Sequence, residues 1–327
     1  MFASRCHPIS AQPRHRIRAA RWVASARRPM RAIAVAGLVL SGSAWAQTAP
    51  GTLVRLVTSV GAIDMRLMDE QAPRTTANFL SYVRSGAYKG TFFHRLVQGF
   101  VLQGGGLNWN STQQPPLGLV PIGASIANEF SPTRSNLRGT VAMAKVDGNP
   151  DSATSQWFIN LADNSANLDQ QNGGFTVFAQ ILRPAMNTVD TLASLPLVNA
   201  SACTNLGAAA AAMAQVPMRI TPANCQSVSA AHLIQILSVK ELPPRHTLSD
   251  PERVFDFLEA LAPQFFAPSS PATASGSGFV YRYYSDTQTY VAAMGGTVYA
   301  LAPATNGQVV EIGTVAHWLA QAVYNGY

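Results

Sequence analysis

Arg95, Phe100 and Gln103 stand close together in the run Phe92-Phe93-His94-Arg95-Leu96-Val97-Gln98-Gly99-Phe100-Val101-Leu102-Gln103-Gly104-Gly105. They bring a permanent cation, an aromatic wall and a neutral amide, with no acid, base or nucleophile among them. Such a set can grip a chain and offer it a charged donor, but it cannot make or break a bond. A second cluster follows at Ser152-Ala153-Thr154-Ser155-Gln156-Trp157-Phe158-Ile159-Asn160. Other chemistries lack their parts. His7, His15, His94, His232, His246 and His317 are scattered without metal-ligand spacing. Gly104-Gly105-Gly106 lacks the Lys-Ser/Thr of a phosphate loop, and no Gly-x-Ser-x-Gly elbow occurs. No metal and no cofactor is expected.

The elements that must position these residues are strands. Alternation around a tight turn sends part of the first run into a core and puts Arg95, Phe100 and Gln103 on one outer face. His94 alternates inward and is expected to be a hydrogen-bonded core histidine. Leu53-Val54-Arg55-Leu56-Val57-Thr58 and Ile63-Asp64-Met65-Arg66-Leu67 read as strands about a turn. Pro73 to Val83 reads as a helix with Phe79, Leu80 and Val83 as its apolar stripe, ended by Gly86. Short strands continue to Phe178–Leu182, a second helix is expected from Pro184 to Leu195, and a last strand from Ala231 to Val239. Many strands with two helices argue for a closed antiparallel β-barrel over residues 52–242, mainly β in class. Residues 198–228 read as an insertion whose Ala-rich stretch, Leu206 to Met213, suits a short helix.

Together the two motifs resemble the cyclophilins, a family of peptidyl-prolyl cis-trans isomerases, and the resemblance covers nearly all of Thr52 to Leu242. It implies that Arg95 polarises the prolyl nitrogen and that Gln103 holds the substrate carbonyl and the arginine. It also implies a proline pocket of Phe100, Val101, Phe158 and Leu168, with Phe175 at the rim. Met143-Ala144-Lys145 matches the strand whose backbone pairs with the peptide, and Gln156 matches a groove residue. Val101 replaces the family's more usual methionine. Asn167 stands before Leu168-Asp169 where cyclosporin-sensitive members carry Trp. The substrates implied are unfolded or partly folded proteins with X-Pro bonds. A non-catalytic proline-peptide binder or chaperone using the same groove is the competing reading, and the intact Arg95, Phe100, Gln103 and Phe158 set favours the enzyme.

The chain has 327 residues, 47% hydrophobic and 12% charged, with a sequence pI near 9.6. The location of its basic charge argues against a nucleic-acid partner. Residues 1–46 hold eight arginines, no lysine and no acid, and the remainder carries 15 basic against 16 acidic residues. No stripe of cations is left for phosphates. From Met30, a short positive region leads into an apolar run, Ala32 to Leu40, and then Ala44-Trp45-Ala46 before Gln47. That order is a secretory signal, with cleavage after Ala46 and Met30 as the plausible true start. The apolar run falls short of the roughly 20 residues a bilayer span needs, so no stable membrane insertion is expected after cleavage. Export, most simply to a periplasm, leaves Cys203 and Cys225 as a pair able to bridge, the alternative being two independent small apolar residues.

After Leu242, Pro243-Pro244-Arg245-His246 forms a stiff linker into residues 243–327, read as a small α+β module. Asp250 to Leu261 is an amphipathic helix. Phe279–Tyr284 and Thr289–Met294 make a hairpin, Thr297–Leu301 a third strand, and Gly313 to Tyr324 a closing helix. The hairpin's tyrosines are expected to pack it against the helices, with an aromatic binding face as the alternative. The module's partner and function are not legible in its sequence, and docking on an envelope component is one further possibility.

Overall fold

The computed structural model describes residues 51–266 and 271–327. The expected leader, secretory signal and Met30 start fall on residues that lie outside the described ones. Strands β1 (Leu53–Thr58) and β2 (Ala62–Leu67) form the first hairpin, followed by α1 (Pro73–Arg84). Then come β3 (Arg95–Val97) and β4 (Val101–Gly104), the short pair β5 (Leu107–Trp109) and β6 (Leu117–Leu119), β7 (Thr140–Met143) and β8 (Trp157–Asn160). A one-turn helix α2 (Ser165–Leu168), β9 (Val177–Ile181), α3 (Ala185–Ala193), the two-residue strands β10 (Leu197–Val198) and β11 (Val216–Pro217), and β12 (Ile236–Glu241) follow.

Eight of these strands form one antiparallel sheet in the order β12-β1-β2-β9-β7-β8-β4-β3. Its concave side encloses Leu56, Ile63, Phe79, Phe93, Leu102, Val141, Ile159 and Phe178 around Trp157. The Trp157 ring meets Phe79, Tyr88 and Phe93 edge-on at centroid distances of 5.7–6.3 Å, an arrangement suited to ring quadrupoles. α1 buries Phe79, Leu80 and Val83, and Gly86 follows it with φ +74, as a helix stop requires.

The expected closed barrel is instead a curled sheet. β3 and β12, its two ends, share no ladder. The seam beside them is crossed by the isolated Phe92–Gln235 bridge and by single hydrogen bonds from Gly90 N–H to Ile236 O, Ile236 N–H to Thr91 O and Phe93 N–H to Ile234 O at 2.7–3.3 Å. The free edge of β3 is taken elsewhere, because the Leu96 N–H donates to Gln215 O at 2.8 Å beside β11. Cys203 and Cys225 are joined in a disulfide. The segment they bracket buries Leu206, Met213, Val216 and Met218 against Phe92, Leu107 and Leu117 of the sheet region. Its Ala-rich part forms two short 3-10 turns, Thr204–Leu206 and Ala208–Ala212, rather than an α-helix. Gly207 separates them with φ +81, which breaks helical continuity.

Beyond β12, α4 (Asp250–Leu261) and α5 (Pro263–Phe266) precede a five-stranded antiparallel sheet, so this region is β-rich. Its strands are β13 (Ala274–Gly276), β14 (Phe279–Tyr284), β15 (Thr289–Met294), β16 (Thr297–Leu301) and β17 (Val310–Thr314), and α6 (Val315–Tyr324) closes it. Ser249 and Glu252 make a capping box at the start of α4. Val254, Phe255 and Leu258 pack on Tyr284, Val291 and Val298. Tyr284 alone of the hairpin's tyrosines joins this core. Tyr283 and Tyr290 are paired in register and stack at 4.3 Å on the opposite face of the sheet, because strand alternation turns them away from the helices.

The β-rich region sits on the β1–β2 hairpin through a buried charge cluster. Arg55 of β1 grips Asp64 of β2 in a fork, Nε to Oδ1 at 2.7 Å and Nη2 to Oδ2 at 2.6 Å. It also pairs with Glu259 and donates to Asp256 O at 2.8 Å, both on α4. Arg282 bridges Asp256 and Glu259 at 2.8 Å each, and Arg245 reaches Asp256 at 2.6 Å. Tyr327 O–H donates to Asp64 at 2.7 Å. Burial works against the Asp256 charge, yet Arg55, Arg282 and Arg245 outweigh it and lower its pKa below the ordinary aspartate value.

Candidate active site

The β3–β4 hairpin builds the centre of the site. Val97 pairs with Val101 across a three-residue turn, in which Gly99 takes φ +69 and Phe100 N–H donates to Val97 O at 2.9 Å. That register sets Arg95 directly opposite Gln103. Gln103 is in turn opposite Phe158 on β8, Phe158 opposite Ala142 on β7, and Ala142 opposite Val177 on β9. Facing residues of an antiparallel ladder share one side of the sheet. A single row therefore crosses five strands from a cation, through an amide, to an apolar floor.

The floor is a cluster distinct from the main core. Val101, Ala142, Phe158, Leu168 and Val177 are buried together, and Phe100, Ala144 and Phe175 pack against them. Phe158 and Phe175 meet edge to face at 5.8 Å. Arg95, at the edge of this region, is only half-buried, and no described residue hydrogen-bonds or ion-pairs with its guanidinium. Gln103 Nε2 donates to Gln156 Oε1 at 2.8 Å, which leaves the Gln103 carbonyl oxygen and its second N–H for other partners. The site can thus hold a small apolar ring while presenting one uncommitted cation and one oriented amide. It has no group placed to transfer a proton.

Most of the expected residues are gathered here: Arg95, Phe100, Val101, Gln103, Gln156, Phe158, Leu168 and Phe175. Met143 is not among them by its side chain, which is buried in the main core on the other side of β7; only its backbone lies along this face. The Lys145 side chain has a task of its own beside the peptide-pairing expected of its backbone. Its Nζ donates to Asn172 O and Gly174 O at 2.7 Å each and lies 4.7 Å above the Phe175 ring, clamping the loop that carries this wall. Cys203 and Cys225 lie away from the cluster, in the stapled segment.

His94 is buried as expected, but its Nδ1 has no hydrogen-bond partner. Burial pushes its pKa down to about 4, Gln156 and the Phe92 backbone opposing only in part, so the ring is neutral at physiological pH. The sequence reading missed the groups that hold the aromatic walls from behind. Asn164 Nδ2 donates to the Phe100 carbonyl at 2.8 Å, and Asn136 Nδ2 to the Phe175 carbonyl at 3.0 Å. Asparagine in such segments reads as turn punctuation, and nothing local marks it as buried.

Comparison with known proteins agrees with this geometry. The family profile described as cyclophilin type peptidyl-prolyl cis-trans isomerase/CLD matches residues 53–209. A peptidyl-prolyl cis-trans isomerase of Acinetobacter baylyi is 40% identical over 166 residues, 50% of this chain and 82% of its own. Peptidyl-prolyl cis-trans isomerase A of Dickeya dadantii is 40% identical over 51% of this chain and 84% of its own. Isomerase B of Escherichia coli is 37% identical over 43% and 83%. A crystal structure of a Cryptosporidium parvum cyclophilin type isomerase in the presence of the dipeptide Ala-Pro aligns with 58% of this chain and 98% of its own, at 22% identity and a TM-score of 0.39. An unpaired arginine facing a glutamine over an apolar floor is thus found in a chain that belongs to the cyclophilin-type peptidyl-prolyl cis-trans isomerases.

Proposed function

We propose that Arg95 accelerates X-Pro rotation by donating to the prolyl nitrogen while Phe100, Val101, Phe158, Leu168 and Phe175 hold the proline ring. The uncatalysed step takes about 10–100 s because amide resonance must be broken. As the bond twists, the nitrogen pyramidalises and gains a lone pair, and a fixed cationic donor stabilises that state more than the planar one. A 10⁴-fold gain needs roughly 5–6 kcal/mol, of which one preorganised donor in an apolar site supplies about 3–4. Gln103, oriented by Gln156, takes the neighbouring substrate carbonyl. The observation that carries this reading is the Arg95 guanidinium, half-buried beside the apolar cluster and uncommitted to any described residue. The substrates are unfolded or partly folded proteins with X-Pro bonds. The leader-like order from Met30 to Ala46, followed by a chain whose two remaining cysteines are bridged, supports an exported, periplasmic folding role.

Arg95→Ala tests it. Exchange NMR on an Ala-Pro peptide, free of any coupling protease, is expected to show turnover reduced by about 10²–10³-fold, with peptide affinity changed far less. Arg95→Lys should rescue little, because an ammonium lacks the planar fork. Parental turnover in Arg95→Ala would remove the assigned role and leave the groove as a binding surface.

A further inference from the structure

Behind the apolar cluster runs a chain of three buried amides. Asn164 stands at the N-cap of α2, where an asparagine side chain ordinarily accepts from the free N–H groups of the helix, yet it makes no capping bond. Its Nδ2 donates instead to Phe100 O at 2.8 Å and to Asn160 Oδ1 at 2.7 Å. Asn160 Nδ2 donates to Thr140 Oγ1 at 2.9 Å and to Asn136 Oδ1 at 3.1 Å. Asn136 Nδ2 donates to Asp169 Oδ1 at 2.7 Å and to Phe175 O at 3.0 Å. Every amide hydrogen of the three has an acceptor, and the residues are 6%, 0% and 0% exposed in the order named. The donors therefore run in one direction, and turning any amide over would set oxygen against oxygen.

The two ends of this relay are the carbonyls of the two aromatic walls. Phe100 lies in the β3–β4 turn, its carbonyl shared with Leu161 N–H at 2.8 Å, and Phe175 at the entry to β9, its N–H donating to Leu168 O at 2.9 Å. Beyond these single bonds neither is held by a continuous ladder. We infer that Asn136, Asn160 and Asn164 are positioning residues that set the gap between Phe100 and Phe175, and so the fit of the proline ring. The inference rests on the pocket proposed above. A wall that moves away loosens the ground and transition states alike, so the effect falls on KM and leaves kcat near the parent's. Partial unfolding acts the other way, reducing the active fraction and hence the apparent kcat at unchanged KM.

The test is peptide titration and exchange NMR on Asn164→Ala, Asn136→Ala and the double variant, with the folded fraction read by urea unfolding. Each single variant should raise KM about 5–10-fold, tenfold corresponding to about 1.4 kcal/mol, with kcat per folded molecule within about twofold. The double variant should raise KM by less than the product of the two, since one break already frees the frame. Unchanged KM with kcat falling in step with the folded fraction overturns the inference, as does a fully multiplicative double variant. Should these variants fail to fold, Thr140→Val removes one acceptor from Asn160 without touching either wall. A rise in KM supports the relay there, and an unchanged KM overturns it. Phe158→Ala run alongside separates the two levels: if it too leaves KM unchanged, the pocket has failed rather than the frame behind it.

Discussion

Replacing Arg55 by Met should destabilise the whole described protein, although Arg55 lies outside the proposed pocket. The Arg55 and Asp64 side chains are 0% exposed, and that of Glu259 2%. Without the guanidinium, Asp64 keeps Tyr327 O–H as a side-chain donor, whereas Glu259 keeps both Arg282 and Tyr284. Removing one partner of a buried pair costs about 3–5 kcal/mol, because a desolvated charge stays behind. At roughly 2–4 °C per kcal/mol for domains of a few hundred residues, that is a fall in Tm of about 6–20 °C. Arg55→Met combined with Asp64→Leu removes the stranded carboxylate and should regain at least half of the loss. Urea unfolding followed by tryptophan fluorescence reads both sides of the junction, with Trp157 in the sheet core and Trp318 against the helices of the β-rich region. The two signals should move together. A loss below about 1 kcal/mol, or a double variant no more stable than the single one, would refute the reasoning.

Buried His94 should make stability fall with acid. Its folded pKa of about 4 lies below the unfolded 6.5, so its share of stability is fully present above pH 6.5 and is lost as pH falls towards 4, roughly 3 kcal/mol in all. Urea titrations of parent and His94→Phe between pH 4 and 7 measure it, and parallel curves would contradict it. Reducing the Cys203–Cys225 bridge, or Cys203→Ser with Cys225→Ser, should cost about 3 kcal/mol in the chain-entropy model for a separation of 22 residues. Equal urea midpoints with and without reductant would count against this. Asn167 is exposed on α2 beside buried Leu168, so cyclosporin should bind weakly for want of an indole. Asn167→Trp should raise drug affinity while changing turnover less, and tight binding by the parent would place the contact elsewhere.

The site was legible where chemistry and alternation coincide. Arg95, Gln103 and Phe158 line up because a short hairpin turn fixes register, and period-2 patterning follows from it. The helix Asp250–Leu261 and the hairpin Phe279–Tyr284 with Thr289–Met294 were legible for the same reason, strong periodicity between clear punctuation. Arg55 was not. A lone arginine in a strand reads as solvated, and its partner Glu259 arrives from α4, far along the chain. The asparagine relay was hidden because Asn136 joins Asn160 and Asn164 from 24 residues away, and no local pattern marks the three as buried partners. The open seam of the sheet depends on which chain segment reaches the β3 edge first, and local patterning carries no such information.

The covering of β3 has a meaning if the proposed substrates, extended chains, are the ones this protein meets. An uncovered edge strand is a row of free amides and carbonyls, and any unfolded polypeptide passing along it could add itself as another strand. Here that edge adjoins Arg95, where client chains would be most concentrated. Gln215 O, in the stapled segment, already accepts the outward N–H of Leu96. At this edge a chain drawn to Arg95 finds that amide already taken, and so has no open row on β3 from which a ladder could grow. An isomerase built this way would present its catalytic arginine to sticky chains with one fewer place on which they could aggregate.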